Sequence, residues 1–382
     1  MPVRRQLLIV LIAVLGLLAG CASFPDEGPR DWQEKIEGQG ELGGPPSVAP
    51  PPDGDSNEGD SGEAPGQGGP QVPAGCEDPD PQVVATCLDP VGAVAVLPSG
   101  VSALVGERAT GRVLRVERDK APVLVSTIAV DASGGGGLTG LVLSPTYAED
   151  QLVYAYATTP EDNRVLRLAP NEPPKPVLVG IPKGPSGNGG ALGVDAGNTL
   201  LVATGNAGGA PPETLAGKVL RIDTLGRPAP ANPDPASPVL STGLTAPGGI
   251  CSDPTTQSAW VTDRTSARDV LFRVEPGPLG PAAWTWPDRP GVAGCMAQPG
   301  VVAVALTGGA ALSVLRPAED GSFTGAPETL LGGVYGRLNA ATLGSDGLLW
   351  LGTVNKSGGK PVPSDDRVIR VQPPSGGGAS RA

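Results

Sequence analysis

Gly111-Arg-Val-Leu-Arg-Val-Glu117, Asn163-Arg-Val-Leu-Arg-Leu-Ala169 and Gly217-Lys-Val-Leu-Arg-Ile-Asp223 are one phrase written three times. It returns as Asp269-Val-Leu-Phe-Arg-Val-Glu275 and Asp366-Arg-Val-Ile-Arg-Val-Gln372, and in weaker form as Ala311-Leu-Ser-Val-Leu-Arg316. Ahead of each copy lies a second apolar run: Val101 to Gly106, Gln151 to Ala157, Thr199 to Thr204, Ala259 to Asp263, Val301 to Leu306 and Leu348 to Thr353. A third run precedes those, beginning near Gly92, Gly140, Gly190, Gly248, Ala293 and Asn339, at intervals of 48, 50, 58, 45 and 46 residues. Short runs at period 2, punctuated by Gly, Pro and Asp-Gly turns, read as strands, and no segment carries the 3.6-residue period of an amphipathic helix. Six copies of a unit of three or four strands predict an all-β chain, a six-bladed β-propeller.

The blades can be counted further. Pro122 to Ile128 reads as a fourth, outermost strand of the first repeat, whereas the last repeat ends near Gln372 without one. Val83 to Leu88 is an unassigned strand just before the first repeat. It is expected to complete the last blade and close the ring. The propeller is thus read over 76–373, with 374–382 a disordered tail.

Ahead of it stand a signal peptide and a tether. Arg4 and Arg5 precede a twelve-residue apolar stretch, Leu7 to Leu18, which suits a signal-peptide core and is too short to span a bilayer. It ends in Leu18-Ala19-Gly20-Cys21, which matches the lipobox of bacterial lipoproteins. Residues 1–20 are therefore read as a cleaved signal and Cys21 as the lipidation site, with the acyl chains as membrane anchor. That places the mature chain at the outer face of the cell membrane. The chain carries a net charge of −12, and between Ala22 and Gly75 eleven acids stand against Arg30 and Lys35. That stretch is Pro, Gly, Ser and acid with few hydrophobes, so 21–75 is expected to be a disordered spacer. The acidic balance gives no support to nucleic-acid binding.

Four cysteines remain after Cys21, an even number in a compartment where disulfides persist. Cys76–Cys87 would close a small loop and brace the ring closure. Cys251–Cys295 would link equivalent positions of adjacent repeats. No Cys-x-x-Cys or Cys/His cluster is present, and the chain has no histidine at all, so no metal site is expected.

Gly137-Leu-Thr-Gly-Leu-Val-Leu-Ser-Pro-Thr-Tyr147, Val153-Tyr-Ala-Tyr156, Asn163-Arg-Val-Leu-Arg167, and Leu215-Ala-Gly-Lys-Val-Leu-Arg-Ile-Asp223 with Asn232-Pro233 resemble the glucose/sorbosone dehydrogenase family. The resemblance implies a six-bladed propeller that uses pyrroloquinoline quinone (PQQ) with calcium to oxidise sugars. Within the family, the lipobox, tether, paired cysteines, Ala157-Thr-Thr-Pro-Glu-Asp-Asn-Arg164, Ile181-Pro-Lys-Gly184 and Trp284-Thr-Trp-Pro-Asp288 look most like a mycobacterial lipoprotein.

The family's active-site motif is where the resemblance breaks. Its His-Asn-Gly-Gly-Arg-Leu reads Gly187-Asn-Gly-Gly-Ala-Leu192 here, so the catalytic base falls on Gly187 and the arginine on Ala191. The blade-4 Arg-Asn-Pro that contacts the quinone reads Thr245-Ala246-Pro247, a blade-5 lysine reads Thr307, and paired blade-6 arginines read Arg337 and Asn339. A polar residue of the loop entering blade 2 is replaced by Gly135. A trianionic quinone needs cationic partners once desolvated, and proton abstraction needs a base. The expectation is therefore a non-catalytic binding or scaffold module for an envelope protein, glycan or lipid, with no cofactor. The alternative is a PQQ- and calcium-dependent sugar dehydrogenase with a reorganised site, in which Asp263 stands in as base; a purely structural envelope protein is a third reading. Polar residues left near that pocket, and so candidate ligand contacts, are Asn188, Asn206, Asp263, Arg264, Arg337 and Asn339. Tyr335, Trp350, Trp284 and Trp286 are candidates for stacking on sugars or for packing between blades.

Overall fold

The computed structural model describes residues 75–318, 322–323 and 325–375; the signal peptide, Cys21, the tether up to Ala74 and the last seven residues lie outside them. Within that span the chain forms six sheets, antiparallel except for one added edge strand. Blade 1 runs Val91–Val96, Ser102–Glu107, Arg112–Glu117, Val123–Thr127, and blade 2 runs Leu138–Leu143, Val153–Thr158, Asn163–Leu168, Lys175–Ile181. Blade 3 comprises Gly190–Val194, Leu200–Thr204, Lys218–Ile222 and Val239–Thr242, with Gly277–Pro278 added in parallel at its outer edge. Blade 4 is Pro247–Asp253, Ser258–Arg264, Asp269–Arg273, Trp284–Trp286, and blade 5 is Val292–Gln298, Val301–Leu306, Ala311–Leu315, Glu328–Leu330. Blade 6 takes Leu338–Leu343, Leu349–Thr353 and Val368–Val371 from the end of the chain and its outermost strand, Val83–Ala85, from the beginning. The described helix is a single turn, Tyr147–Asp150, beside a 3₁₀ turn at Ser133–Gly135.

The period-2 pattern explains why these sheets pack radially. In the second strand of blade 3, Leu200 and Val202 belong to the apolar cluster shared with blade 2, while Leu201 and Ala203 face blade 4. Likewise Val301, Ala303 and Ala305 pack toward blade 6, and Val302, Val304 and Leu306 toward blade 4. Middle strands are thus buried on both faces and read as continuous apolar runs, unlike the one-sided alternation of a solvated antiparallel sheet. Six such clusters among the described residues fill the six seams of the ring.

Closure is by β-pairing and by a polar clamp. Val83 pairs with Ile369 and Ala85 with Val368, completing the last blade as the repeat count requires. The strand is shorter than the Val83 to Leu88 read from the sequence. Cys87 adopts a left-handed φ of 55° and its N–H turns to the Ser364 carbonyl, so pairing stops at Ala85. Just upstream, Asp78 accepts from Arg367 Nη1 at 3.1 Å and from Ser364 Oγ at 3.1 Å. Tyr335 Oη reaches Asp80 and Gln82, each at 2.7 Å. Cys76 and Cys87 are bonded across this closure, with Cα atoms 5.3 Å apart.

Near the axis the blades approach backbone to backbone. A Cβ on Gly92 would sit 1.9 Å from the Leu138 carbonyl oxygen, and one on Gly248 would sit 2.7 Å from Ala293 Cα. Only glycine allows strands of neighbouring blades this close. That proximity also brings Cys251 of blade 4 within 5.7 Å (Cα to Cα) of Cys295 of blade 5, and the two are bonded.

Candidate functional site

Each innermost strand starts at the same end of the ring, beside the end of its blade's second strand: Val91 pairs with Glu107, Pro247 with Asp263, Val292 with Leu306. Five of the six innermost strands carry a bulge there, at their first or second residue. A bulge frees one residue from the ladder and re-aims it. Loops that enter the blades and loops that leave their second strands converge on this face, which is the mouth of an axial channel of about 220 Å³. The channel wall is mostly backbone and small side chains, among them Thr139, Ala191, Gly249, Ser252, Gly294 and Ala341. A larger cavity, about 1240 Å³, lies away from it at the ring closure and holds none of the candidate residues.

All six candidates lie at the mouth end, and four of them are committed to the scaffold. Asn188 is fully buried; its Oδ1 accepts from the Gly184 N–H at 2.8 Å and its Nδ2 donates to the Gly184 carbonyl at 2.7 Å. The Asn206 side chain accepts from Gly208 N–H at 3.0 Å, a local turn. Asn339, in the blade-6 bulge, donates to the Val91 carbonyl at 2.9 Å and so ties blade 6 to blade 1. Asp263 is fully buried and accepts the backbone N–H groups of Thr245 at 2.9 Å and Ala246 at 2.6 Å, pinning the loop that enters blade 4. Burial pushes its carboxyl up to about 6 against the opposing pull of those two N–H groups.

The position where the family's motif carries its base is a glycine in a tight surrounding. Gly187 has φ +63°, a left-handed conformation, and a Cβ there would stand 2.7 Å from Asn206 Oδ1 and 3.2 Å from the Thr245 carbonyl oxygen. Its carbonyl accepts from Ala207 N–H at 3.1 Å, while Gly205 N–H bonds the Gly189 carbonyl at 3.0 Å. The glycines of this loop therefore lie flat against the turn after the second strand of blade 3. Thr307 spends its hydroxyl on the Gly291 carbonyl at 2.9 Å. The residues present do not fit the base that quinone-dependent sugar oxidation requires.

Two candidates remain uncommitted. Arg264 and Arg337 each have Nε buried with no hydrogen-bond partner, and neither guanidinium forms an ion pair among the described residues. The strand pairing adds a residue that the sequence reading passed over. Val91–Glu107 in blade 1 and Pro247–Asp263 in blade 4 are equivalent pairs, so Arg108 occupies in blade 1 the place that Arg264 occupies in blade 4. Even the acids match: Glu107 Oε1 accepts from Asp89 N–H at 3.0 Å, two residues before its blade, as Asp263 accepts from Thr245. The signal was visible as an acid–Arg pair after the second run of two repeats, Glu107-Arg108 and Asp263-Arg264. By the same register Thr307 is the blade-5 counterpart of these arginines.

The aromatic candidates are elsewhere. Trp350 and Tyr335 are buried, Trp350 in the seam between blades 6 and 1 and Tyr335 in that between blades 5 and 6; Trp284 and Trp286 form an edge-to-face pair, centroids 6.4 Å apart, on the outermost strand of blade 4. Packing holds Trp350, Trp284 and Trp286, and Tyr335 is held by packing and by its hydroxyl bonds to Asp80 and Gln82.

Residues 88–288 match the model of the family described as glucose/sorbosone dehydrogenase. Among solved structures, the chain is similar to the PQQ-bound aldose sugar dehydrogenase of Streptomyces coelicolor, with 31% identity over 76% of this chain and 96% of that one, at a TM-score of 0.71. It is similar also to an oxidoreductase of Thermus thermophilus described as a glucose dehydrogenase, with 30% identity, 76% and 98% coverage and a TM-score of 0.69. The soluble aldose sugar dehydrogenase of Escherichia coli, at 18% identity, 76% and 99% coverage and TM-score 0.66, shares the fold. No curated protein matches the chain.

Proposed function

Because this chain belongs to the glucose/sorbosone dehydrogenase family, we propose that it is a lipid-anchored propeller of that family that has exchanged sugar oxidation for binding. Gly187 carries the proposal. In the family's motif that position supplies the base, and here it is a left-handed glycine where a side chain would be strained and would displace Asn206. The nearest replacement, Asp263, has both carboxylate oxygens turned to backbone N–H groups. The quinone-facing cations of blades 4 and 5 have become Thr245 and Thr307.

The anchor is part of the proposal. The lipobox ending at Cys21 and the acidic spacer after it support a chain held at the outer face of the cell membrane, its propeller displayed to the envelope. The motifs shared with a mycobacterial lipoprotein support the same placement. The ligand is an envelope protein, glycan or lipid presented to the mouth of the ring, where loops on a rigid scaffold carry function.

One observation favours the second reading, a working PQQ-dependent dehydrogenase: the 31% identity to a PQQ-bound sugar dehydrogenase. Asp263, held near 6, would be its base. Titration of the purified protein with PQQ and calcium separates the two. Non-catalytic binding predicts no quinone absorbance carried by the protein after gel filtration; stoichiometric retention would put the dehydrogenase first.

A further inference from the structure

The mouth has lost cations where the family keeps them, yet it has not lost positive charge. Arg108 and Arg264 lie on blades 1 and 4, opposite one another in the ring. Each is tied to a loop that reaches toward the axis: Arg108 Nε donates to the Gly136 carbonyl at 2.9 Å, and the Arg264 N–H donates to the Ala246 carbonyl at 3.2 Å. Those two loops meet over Gly189. A Cβ built there would lie 3.2 Å from the Gly135 carbonyl oxygen and 3.6 Å from that of Pro247. A side chain added at Gly135 would meet nothing within 4 Å, so the approach from solvent is open at this point.

We propose that Arg108 and Arg264 form an oxyanion site at the channel mouth, taking a phosphate, sulfate or carboxylate group of the ligand; this rests on the binding reading above. The buried, unpartnered Nε of Arg264 is the strongest support. A guanidinium out of water without an acceptor is costly, and a planar fork of N–H donors matches an oxyanion. The acids nearest Arg264 favour its charge but take no hydrogen bond from its side chain among the described residues. Asp263 is turned to Thr245 and Ala246, and Asp269 accepts from the N–H groups of Gly291 and Val292 at 2.7 and 3.1 Å. Among the described residues the Arg108 side chain has the Gly136 carbonyl alone. Burial depresses both guanidinium pKa values, and the charge of Arg264 depresses that of Arg108 further, so the two repel in the absence of an anion. Arg337 adds a third cation at the same end, its Nε also buried without an acceptor.

The test is thermal unfolding of the full lipidated chain in detergent, at constant ionic strength, with inorganic phosphate, glucose 1-phosphate, glycerol 1-phosphate or glucuronate. Each oxyanion should raise the Tm, and neutral glucose should not. Glucose 1-phosphate acting at lower concentration than glycerol 1-phosphate would mark a sugar-borne anion, and the reverse a lipid headgroup. Arg264→Gln and Arg108→Gln should each weaken phosphate binding about tenfold or more. With no oxyanion present, Arg264→Gln should melt at or above the wild-type temperature because the repulsion and the unpartnered Nε are both gone. That second readout distinguishes a binding pair from arginines that merely hold the fold. Arg227→Gln, exposed at the opposite end and paired with Asp223, is the control and should behave as wild type. The inference is overturned if no oxyanion shifts the Tm, or if the Arg264 and Arg108 variants respond as the wild type does. The non-catalytic reading fails separately, on sugar-dependent dye reduction in the presence of PQQ and calcium.

Discussion

Gly187 and Asp263 show how much a single position can decide. At Gly187 the family's base is absent from the sequence, but only the structure shows that restoring it carries a cost: φ is +63° and Asn206 Oδ1, 2.7 Å from where a Cβ would go, would have to move. Gly187→His should therefore lower stability by at least about 1 kcal/mol from the left-handed backbone alone, and it should yield no aldose-dependent dye reduction with PQQ. A stable variant that turns over sugar would show that the loop can reopen. Asp263 makes a prediction about pH. Its folded pKa, about 6, lies above the ordinary carboxylate value of 3.8, so the folded state holds the proton more tightly than the unfolded chain. Stability from this group is present in full below about pH 4 and is lost as pH rises toward 6. Denaturant unfolding of wild type and Asp263→Asn between about pH 3.5 and pH 8 should show the wild type losing ground through that window and then holding constant. A wild type that gains stability over Asp263→Asn as pH rises would mean that the Thr245 and Ala246 N–H groups outweigh burial. Candidate residues were legible by type and position. Their orientation was not, because whether Asn188 or Asp263 faces a ligand or a neighbouring loop depends on how loops far apart in the sequence fold against one another.

At the scale of strands and loops the repeat was open to reading, because each middle strand keeps strict alternation between two seams. Val302, Val304 and Leu306 face one neighbour, and Val301, Ala303 and Ala305 the other. The need for an outermost strand in the last blade followed from counting. Its early stop at Ala85 did not, since the left-handed turn at Cys87 falls on a residue with no glycine-like signature. Nor was the convergence of the blade-2 and blade-4 entry loops readable, and without it the Glu107-Arg108 and Asp263-Arg264 pairs gave no reason to join the two arginines in one site. The two disulfides differ in exposure, and that predicts an order of reduction. Cys76 is exposed beside the closure, whereas Cys251 and Cys295 are buried in the seam of blades 4 and 5. Under mild reductant, alkylation and peptide mapping should label Cys76 and Cys87 first and leave Cys251 and Cys295 protected until the protein unfolds. By the chain-entropy account the inner bridge, with a sequence separation of 44, is worth about 4 kcal/mol and the outer, at 11, about 3 kcal/mol. Simultaneous labelling of all four under native conditions would place the inner bridge at a more open position than its seam.

The described residues form a closed ring with a narrow axial channel and an arginine-bearing mouth. The acidic leader was read from composition and its lipobox, and it carries its own test. Cys21→Ser should be secreted without lipid and lost from the membrane fraction. If the variant still sediments with membranes after a high-salt wash, something other than the acyl chains holds the chain there. The fold was legible because six imperfect copies of one unit each had to bury the same two faces. Function was less so, since family membership and family chemistry point in different directions: 31% identity to a quinone enzyme on one side, a closed Gly187 on the other. Turnover decides between them. The purified wild-type protein, preincubated with PQQ and calcium, is assayed for dye reduction against a panel of aldoses, alongside an active sugar dehydrogenase of the family. The account predicts a rate indistinguishable from that of the quinone in buffer, for every sugar. Aldose-dependent reduction that saturates with sugar and is lost in Asp263→Asn would contradict it.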